Sequence, residues 1–173
     1  MNKGKLFLIP TTINEEDNNT LSPLISEHVS KINIFIVEKV RTSRRFIKKI
    51  CQQKNIDKTT FYPYGKHDEI NLDKDFLPHI LNGKDVGLLS ECGIPCVADP
   101  GSDIVKYAHE FDIEVIPISG PSSIFLAIMS SGMNGQQFTF TSGFSSQEFI
   151  EGSEGSCIDF EGCTDPAAVN YDS

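Results

Sequence analysis

The chain has 173 residues, 39% apolar and 23% charged, which suits an ordinary globular domain with its own core. Its apolar runs fall far short of the roughly 20 residues a membrane helix needs. Lys3 and Lys5 flank too few apolar residues for the ~7–15-residue core of a secretory signal, so a cytoplasmic chain with no membrane partner is expected.

The elements alternate from the start. A strand over residues 6–10, Leu6-Phe7-Leu8-Ile9-Pro10, leads through Thr11-Thr12-Ile13 to a helix at 21–31. A second strand at 33–37 runs into Glu38-Lys39-Val40-Arg41-Thr42-Ser43-Arg44-Arg45-Phe46-Ile47-Lys48-Lys49, which opens a helix at 42–53. This basic stretch reads as a solvated helix face or, if it faces a cleft, as Arg41, Arg44 and Arg45 poised for bidentate contact with phosphate. The third strand, 60–64, ends in Tyr64-Gly65-Lys66-His67-Asp68-Glu69, where His67 beside two acids reads as incidental or functional, and a helix follows at 74–81.

The fourth strand, 86–89, precedes Ser90-Glu91-Cys92-Gly93-Ile94-Pro95-Cys96-Val97-Ala98-Asp99-Pro100-Gly101 and a helix at 103–111. That loop reads as two turns and a helix start capped by Asp99 or Ser102, or as a place where glycine lets the main chain close on a ligand. A fifth strand at 114–118 leads through Ser119-Gly120-Pro121-Ser122-Ser123 into a helix at 122–131, and a sixth strand is expected at 138–141. Ile34-Phe35-Ile36-Val37 and Val115-Ile116-Pro117-Ile118 are continuously apolar, as strands covered on both faces are. The expected fold is therefore α/β, a three-layer αβα parallel sheet whose ligands bind at the loops after the strands. No GxGxxG follows any strand, so the ordinary dinucleotide fingerprint is absent.

Charge and cysteine place the rest. The formal net charge is −9, yet seven of the 24 acids and none of the 15 Lys and Arg lie from Ser146 onward. The first 145 residues thus carry 17 acids against 15 cations, with the cations clustered between Lys39 and Lys58. After Phe144 Gly, Ser, Glu and Asp dominate, which divides the chain into a folded domain, 1–145, and an acidic tail, 146–173, without regular structure. Cys51, Cys92 and Cys96 are expected as free thiols, with no metal site, since no paired CxxC pattern occurs.

Taken together, the motifs resemble the N-terminal domain of the tetrapyrrole methylase superfamily, in its branch that methylates a ribose 2'-hydroxyl of small-subunit ribosomal RNA. The resemblance runs from Lys3 to Phe144 through Leu8-Ile9-Pro10-Thr11-Thr12-Ile13, Val37 to Thr42, Ser90 to Gly101, Pro117 to Ser123 and Phe138 to Phe144. It implies S-adenosyl-L-methionine as cofactor, held largely by main chain at Ile13, Cys92, Gly93, Ile94, Val97, Ser122 and Ser123. Glu38, Arg41, Arg44, Arg45 and His67 are the substrate-side candidates, and no residue is assigned a catalytic role. Ribosomal RNA or the small ribosomal subunit is the implied partner, and a homodimer the implied assembly. Members continue into a second domain of ~100 residues or more, which is missing here, so an incomplete enzyme is expected. Departures are a first loop without the glycine-rich form of porphyrin-modifying relatives and Gly65 where a His is usual. Two alternatives are carried: methylation of a tetrapyrrole or other small molecule, and a non-catalytic cofactor-binding or dimerisation remnant.

The tail has its own resemblance. Gly155-Ser156-Cys157 and Gly162-Cys163-Thr164-Asp165-Pro166 are similar to short Cys-containing repeats of secreted, surface-attached bacterial proteins, which implies a fusion or a misjoined frame. Cys157 and Cys163 would pair in an oxidising compartment and stay reduced in the cytosol.

Overall fold

The computed structural model describes residues 3–14, 20–65, 70–97, 99–133 and 135–138. The chain divides into two compact units, Met1–Ser122 and Ser123–Ser173. The first carries β1 (Leu6–Ile9), α1 (Pro23–Lys31), β2 (Ile34–Val37), α2 (Val40–Ile50), β3 (Thr60–Pro63), α3 (Leu77–Leu81), β4 (Val86–Leu89), α4 (Ser102–Glu110) and β5 (Val115–Pro117). All five strands are parallel, in the order β3-β2-β4-β1-β5.

Side-chain alternation builds a core on each face of this sheet. Phe7, Ile9, Phe35, Val37 and Leu89 point to one face and meet Ile25 and Val29 of α1 and Ile47 of α2. Leu6, Ile34, Ile36, Val86 and Leu88 point to the other and meet Ile80 of α3 and Ile104 and Ala108 of α4. β2 and β4 are buried throughout, as two helical layers require, and fully burying each such side chain contributes about 1.5–3 kcal/mol. β3 and β5, outermost among the described strands, are only part-buried, so the apolar run at Val115–Pro117 reports an outer strand rather than a central one.

The layers follow from chirality. From β1 to β2 to β3 the chain moves one way across the sheet with α1 and α2 on one face. From β3 to β4 to β5 it moves back with α3 and α4 on the other. Right-handed crossovers demand this exchange of faces when direction reverses. The architecture is the expected three-layer α/β fold.

Helix ends depart by one to three residues from those expected, for local reasons. Pro23 occupies the first turn of α1 behind Ser22, whose hydroxyl accepts from the Leu24 amide at 3.3 Å, so the helix starts there and not at residue 21. Residues 72–76 form a π-helical turn ahead of α3, where the sequence suggested a plain helix from 74; the turn brings Phe76 into the core above Ile80. The second unit, taken by itself, carries α5 (Ser123–Ser130), with the ring of Phe125 edge-on to Phe138 at 6.0 Å. Phe138 lies outside any strand. The rest of the expected sixth strand, the boundary at 145 and the tail fall outside the described residues.

Candidate functional site

Parallel strands end at one edge, so the loops after β1, β2, β4 and β5 share it. β1 and β4 are neighbours whose chains leave in opposite directions, the switch point at which sheets of this kind form a ligand crevice between the loops. There the Gly93 carbonyl accepts from the Thr11 amide at 2.8 Å and from the Ser90 hydroxyl at 2.5 Å, while Thr11 Oγ1 and Ser90 Oγ lie 3.4 Å apart. Thr11 and Ser90 are buried. Cys92 Sγ donates to the Ile13 carbonyl at 3.6 Å.

Gly93 has φ +73°, and a Cβ built on it would lie 3.0 Å from the Pro121 carbonyl oxygen and 3.9 Å from Ile13 Cγ1. Three loops therefore converge on one glycine: Ile13 after β1, Gly93 after β4 and Pro121, next to buried Ser122, after β5. The amides of Cys92, Gly93 and Ile94 have no acceptor among the described residues. Ile94 is half-buried and Val97 43% exposed in the same loop. Ser123 begins α5, in the second unit.

A second set of contacts latches the loops after β2 and β4. Lys39 Nζ pairs with Glu91 at 3.1 Å, the Thr42 hydroxyl donates to Glu91 at 2.5 Å, and the Glu91 amide donates to Glu38 Oε1 at 3.3 Å. Glu38 thus holds the rim together, whatever else it binds. The sequence reading did not single out Thr11 or this latch, although Thr11 and Ser90 follow strands that prove to be neighbours.

Asp99 does not cap α4, nor does Ser102. The cap position is Gly101, at φ +122°, with no side-chain bond to the helix amides. A Cβ at Gly101 would strike Leu88 at 2.8 Å, so the chain turns too tightly for the expected polar cap. Asp99 Oδ2 is buried without a hydrogen-bond partner among the described residues. Burial first, then the facing charges of Glu38 and Glu91, push its carboxyl up to about 6. Burial and Asp99 likewise raise both nearby thiols, Cys96 to about 11, so neither is a ready thiolate. Cys96 is half-buried against the core, as a small apolar residue would be, whereas Cys92 is exposed.

A stability prediction follows. Folded Asp99 keeps its proton up to about pH 6 while an unfolded aspartate releases it near 3.8. The folded chain then binds more protons between those values, and stability falls as pH rises through the window. Asp99→Asn, whose amide can donate to the facing carboxylates, should be more stable than the parent by about 1 kcal/mol at pH 7.5 after solvent screening of this part-exposed group. In urea titrations the difference should vanish near pH 4; a constant difference at both pH values would mean that the charge is not its cause.

The basic residues separate. Arg41, exposed in the first turn of α2, sits nearest the rim. Arg44 turns to Asp57 at 3.1 Å, on the short helical turn that precedes β3 at the opposite edge of the sheet, and Arg45 lines the same flank. His67 lies outside the described residues. Among those described, no group of three His, Cys, Asp or Glu is arranged to hold a metal ion.

Fold and rim define a parallel α/β domain whose switch point lies between β1 and β4. The particular likeness is to proteins named ribosomal RNA small subunit methyltransferase I. That of Micromonospora olivasterospora is 31% identical over 137 residues, 79% of this chain and 42% of the relative. That of Bacillus subtilis is 27% identical over 137 residues, 79% and 44% respectively, and that of Thermotoga maritima 26% over 137 residues, 79% and 59%. The chain thus spans about half the length of these relatives, which are methyltransferases by name. No family model matches it.

Proposed function

We propose that the chain is the cofactor-holding part of an S-adenosyl-L-methionine-dependent methyltransferase that acts on ribosomal RNA of the small subunit, at a ribose 2'-hydroxyl. The observation that carries the reading is the set of amides at Cys92, Gly93 and Ile94 with no acceptor among the described residues, on a turn that Ile13 and Pro121 approach from two other loops. The likeness to named rRNA methyltransferases supports the same reading.

The residues present fit this cofactor. A glycine turn whose free space a Cβ would fill admits close main-chain contact. The acids Glu38, Glu91 and Asp99 beside it favour a cationic ligand over an anionic one. The bound cofactor would supply a methyl group made electrophilic by the sulfonium that carries it. Cys92, Gly93 and Ile94 would hold its polar atoms by amide donors, with Ile13 and Val97 against apolar surface and Ser122 offering a hydroxyl. With no nucleophile required of the protein, the rim would act by positioning, with Glu38 and Arg41, beside the start of α2, as the groups that would meet an incoming ribose hydroxyl. A homodimer is part of the same proposal. Exposed Phe125, Leu126 and Met129 of α5 are apolar surface that such pairing would cover.

Calorimetry with adenosylmethionine tests the reading. Saturable binding is expected, and no heat at millimolar cofactor would refute it. Radiolabel transfer to small ribosomal subunits, followed by nucleoside analysis, should place the methyl on ribose; a methylated base would leave the class and overturn the 2'-hydroxyl.

A further inference from the structure

The exposed face of α2 is entirely cationic: Arg41, Arg44, Arg45, Lys48 and Lys49 are all exposed, and the helix contains no acid. Arg41 and Arg45, Arg44 and Lys48, and Arg45 and Lys49 stand at i,i+4, the spacing at which like charges repel across a helix surface. In a chain of net charge −9 this is a local concentration, not a reflection of composition. The helix itself carries no acid to offset this repulsion; Asp57, outside it, pairs with Arg44, and a polyanion would offset it further.

The stripe borders a groove. Arg44, Arg45, Lys48, Lys54, Asn55 and Asp57 line a cavity of about 590 Å³ between α2 and the turn at Ile56–Lys58. Arg45 makes no ion pair or hydrogen bond among the described residues, so its planar donors are available. Arg44 commits Nη2 to Asp57, and Lys48 Nζ donates to the Gln52 carbonyl at 2.5 Å, leaving donors on both. Lys54 plays a different part. Buried, it donates to the Ser30 carbonyl at 3.2 Å, Asn33 Oδ1 at 2.8 Å and the Ile32 carbonyl, so it fixes the groove floor and adds positive potential.

The groove is not part of the methyl-transfer rim. α2 runs from that rim toward the opposite edge, where the Thr60 amide meets the Asn33 carbonyl at the start of β3. At ~1.5 Å per residue, Lys48 lies about 10 Å down the helix axis from Arg41. A strand entering the crevice past Arg41 could therefore continue along α2 into the groove.

We propose that this groove is a docking site for the phosphodiester backbone of RNA, outside the reaction rim, which anchors the strand next to the nucleotide being modified. The proposal rests on the reading of the substrate as RNA. Its contacts are to phosphate and carry no sequence information, so the site supplies affinity and register while the rim selects the reacting ribose.

Fluorescence anisotropy with a labelled single-stranded RNA, from 50 to 300 mM KCl, tests it on the full chain. The exposed double variant Arg45→Ala/Lys48→Ala should bind at least about 10-fold more weakly at low salt. Its slope of log affinity against log salt should flatten by about 1.4, since each phosphate that a removed cation had neutralised accounts for ~0.7. Circular dichroism should be unchanged, and adenosylmethionine affinity by calorimetry should match the parent. Parental RNA affinity and slope in the folded variant would overturn the groove while leaving the methyltransferase reading intact. A parent that binds RNA through the groove but no adenosylmethionine would uphold the groove and defeat that reading, whereas a parent that binds no RNA would defeat the groove.

Discussion

Gly93→Val is expected to weaken adenosylmethionine binding by at least about 100-fold and to lower the stability of the chain by about 1–3 kcal/mol. Two effects add. At φ +73° an L-residue is strained by roughly 1–2 kcal/mol, and a β-branched one is a rare outlier there. Its Cβ would also sit 3.0 Å from the Pro121 carbonyl oxygen, with two methyls beyond it directed into the space between the loops after β1, β4 and β5. Pressing the turn away from Pro121 would loosen the Gly93 carbonyl from Thr11 and Ser90, and with it the alignment of the three bare amides. Gly93→Asn separates the effects, because asparagine tolerates the left-handed backbone: it should recover much of the stability and little of the affinity. Calorimetry reads the affinity and urea titration the stability. Parental affinity in folded Gly93→Val would remove the loop after β4 from the cofactor site.

The elements of the sheet were legible because burial on two faces leaves a plain mark. Ile34-Phe35-Ile36-Val37 and Val86-Gly87-Leu88-Leu89 are uninterrupted, and both lie at the centre of the sheet. The strand order was not legible. Which strands become neighbours depends on the direction of each crossover, and direction is set by packing of α1 to α4 rather than by any local residue. For the same reason the sequence exposed Gly93 as a turn residue but not that its carbonyl would join Thr11 to Ser90, 79 positions apart. The basic stretch after β2 shows the limit most plainly. Its residue types announced phosphate, but periodicity gives a face only relative to the helix. Only the partner of Arg44, Asp57, shows that the middle of the stripe turns to the flank and away from the crevice. The missing cap at α4 has a similar origin, since Asp99 and Ser102 suit capping by type and Gly101 occupies the cap by backbone shape.

Gly120→Ala should be among the most damaging single-methyl changes in this unit, although Gly120 has no left-handed backbone to explain it. A Cβ there would lie 2.3 Å from both Cβ and Cγ of Pro10, well inside contact distance. Neither side can yield cheaply. Pro10 is buried and its ring is fixed to the backbone, and β1 carries it in register with β4 through Leu6 to Ile9 and with β5 through Leu6 to Leu8. The loop after β5 would have to move instead, which drags Pro121 off Gly93 and opens the crevice from its other side. Overpacking commonly costs about 1–3 kcal/mol; with rigid groups on both sides the upper end is expected, about 3 kcal/mol, or a melting temperature lower by roughly 10 °C for a domain of this size. Gly65→Ala, with none of the described residues within 4 Å of the added carbon, is the matched control and should melt within about 2 °C of the parent. Combining Gly120→Ala with Pro10→Gly removes the ring that the new methyl strikes. If the clash is the cause, the double variant will be more stable than the sum of the two single losses allows. Strict additivity would mean that Gly120 matters for its own backbone freedom and that the loops after β1 and β5 do not brace one another.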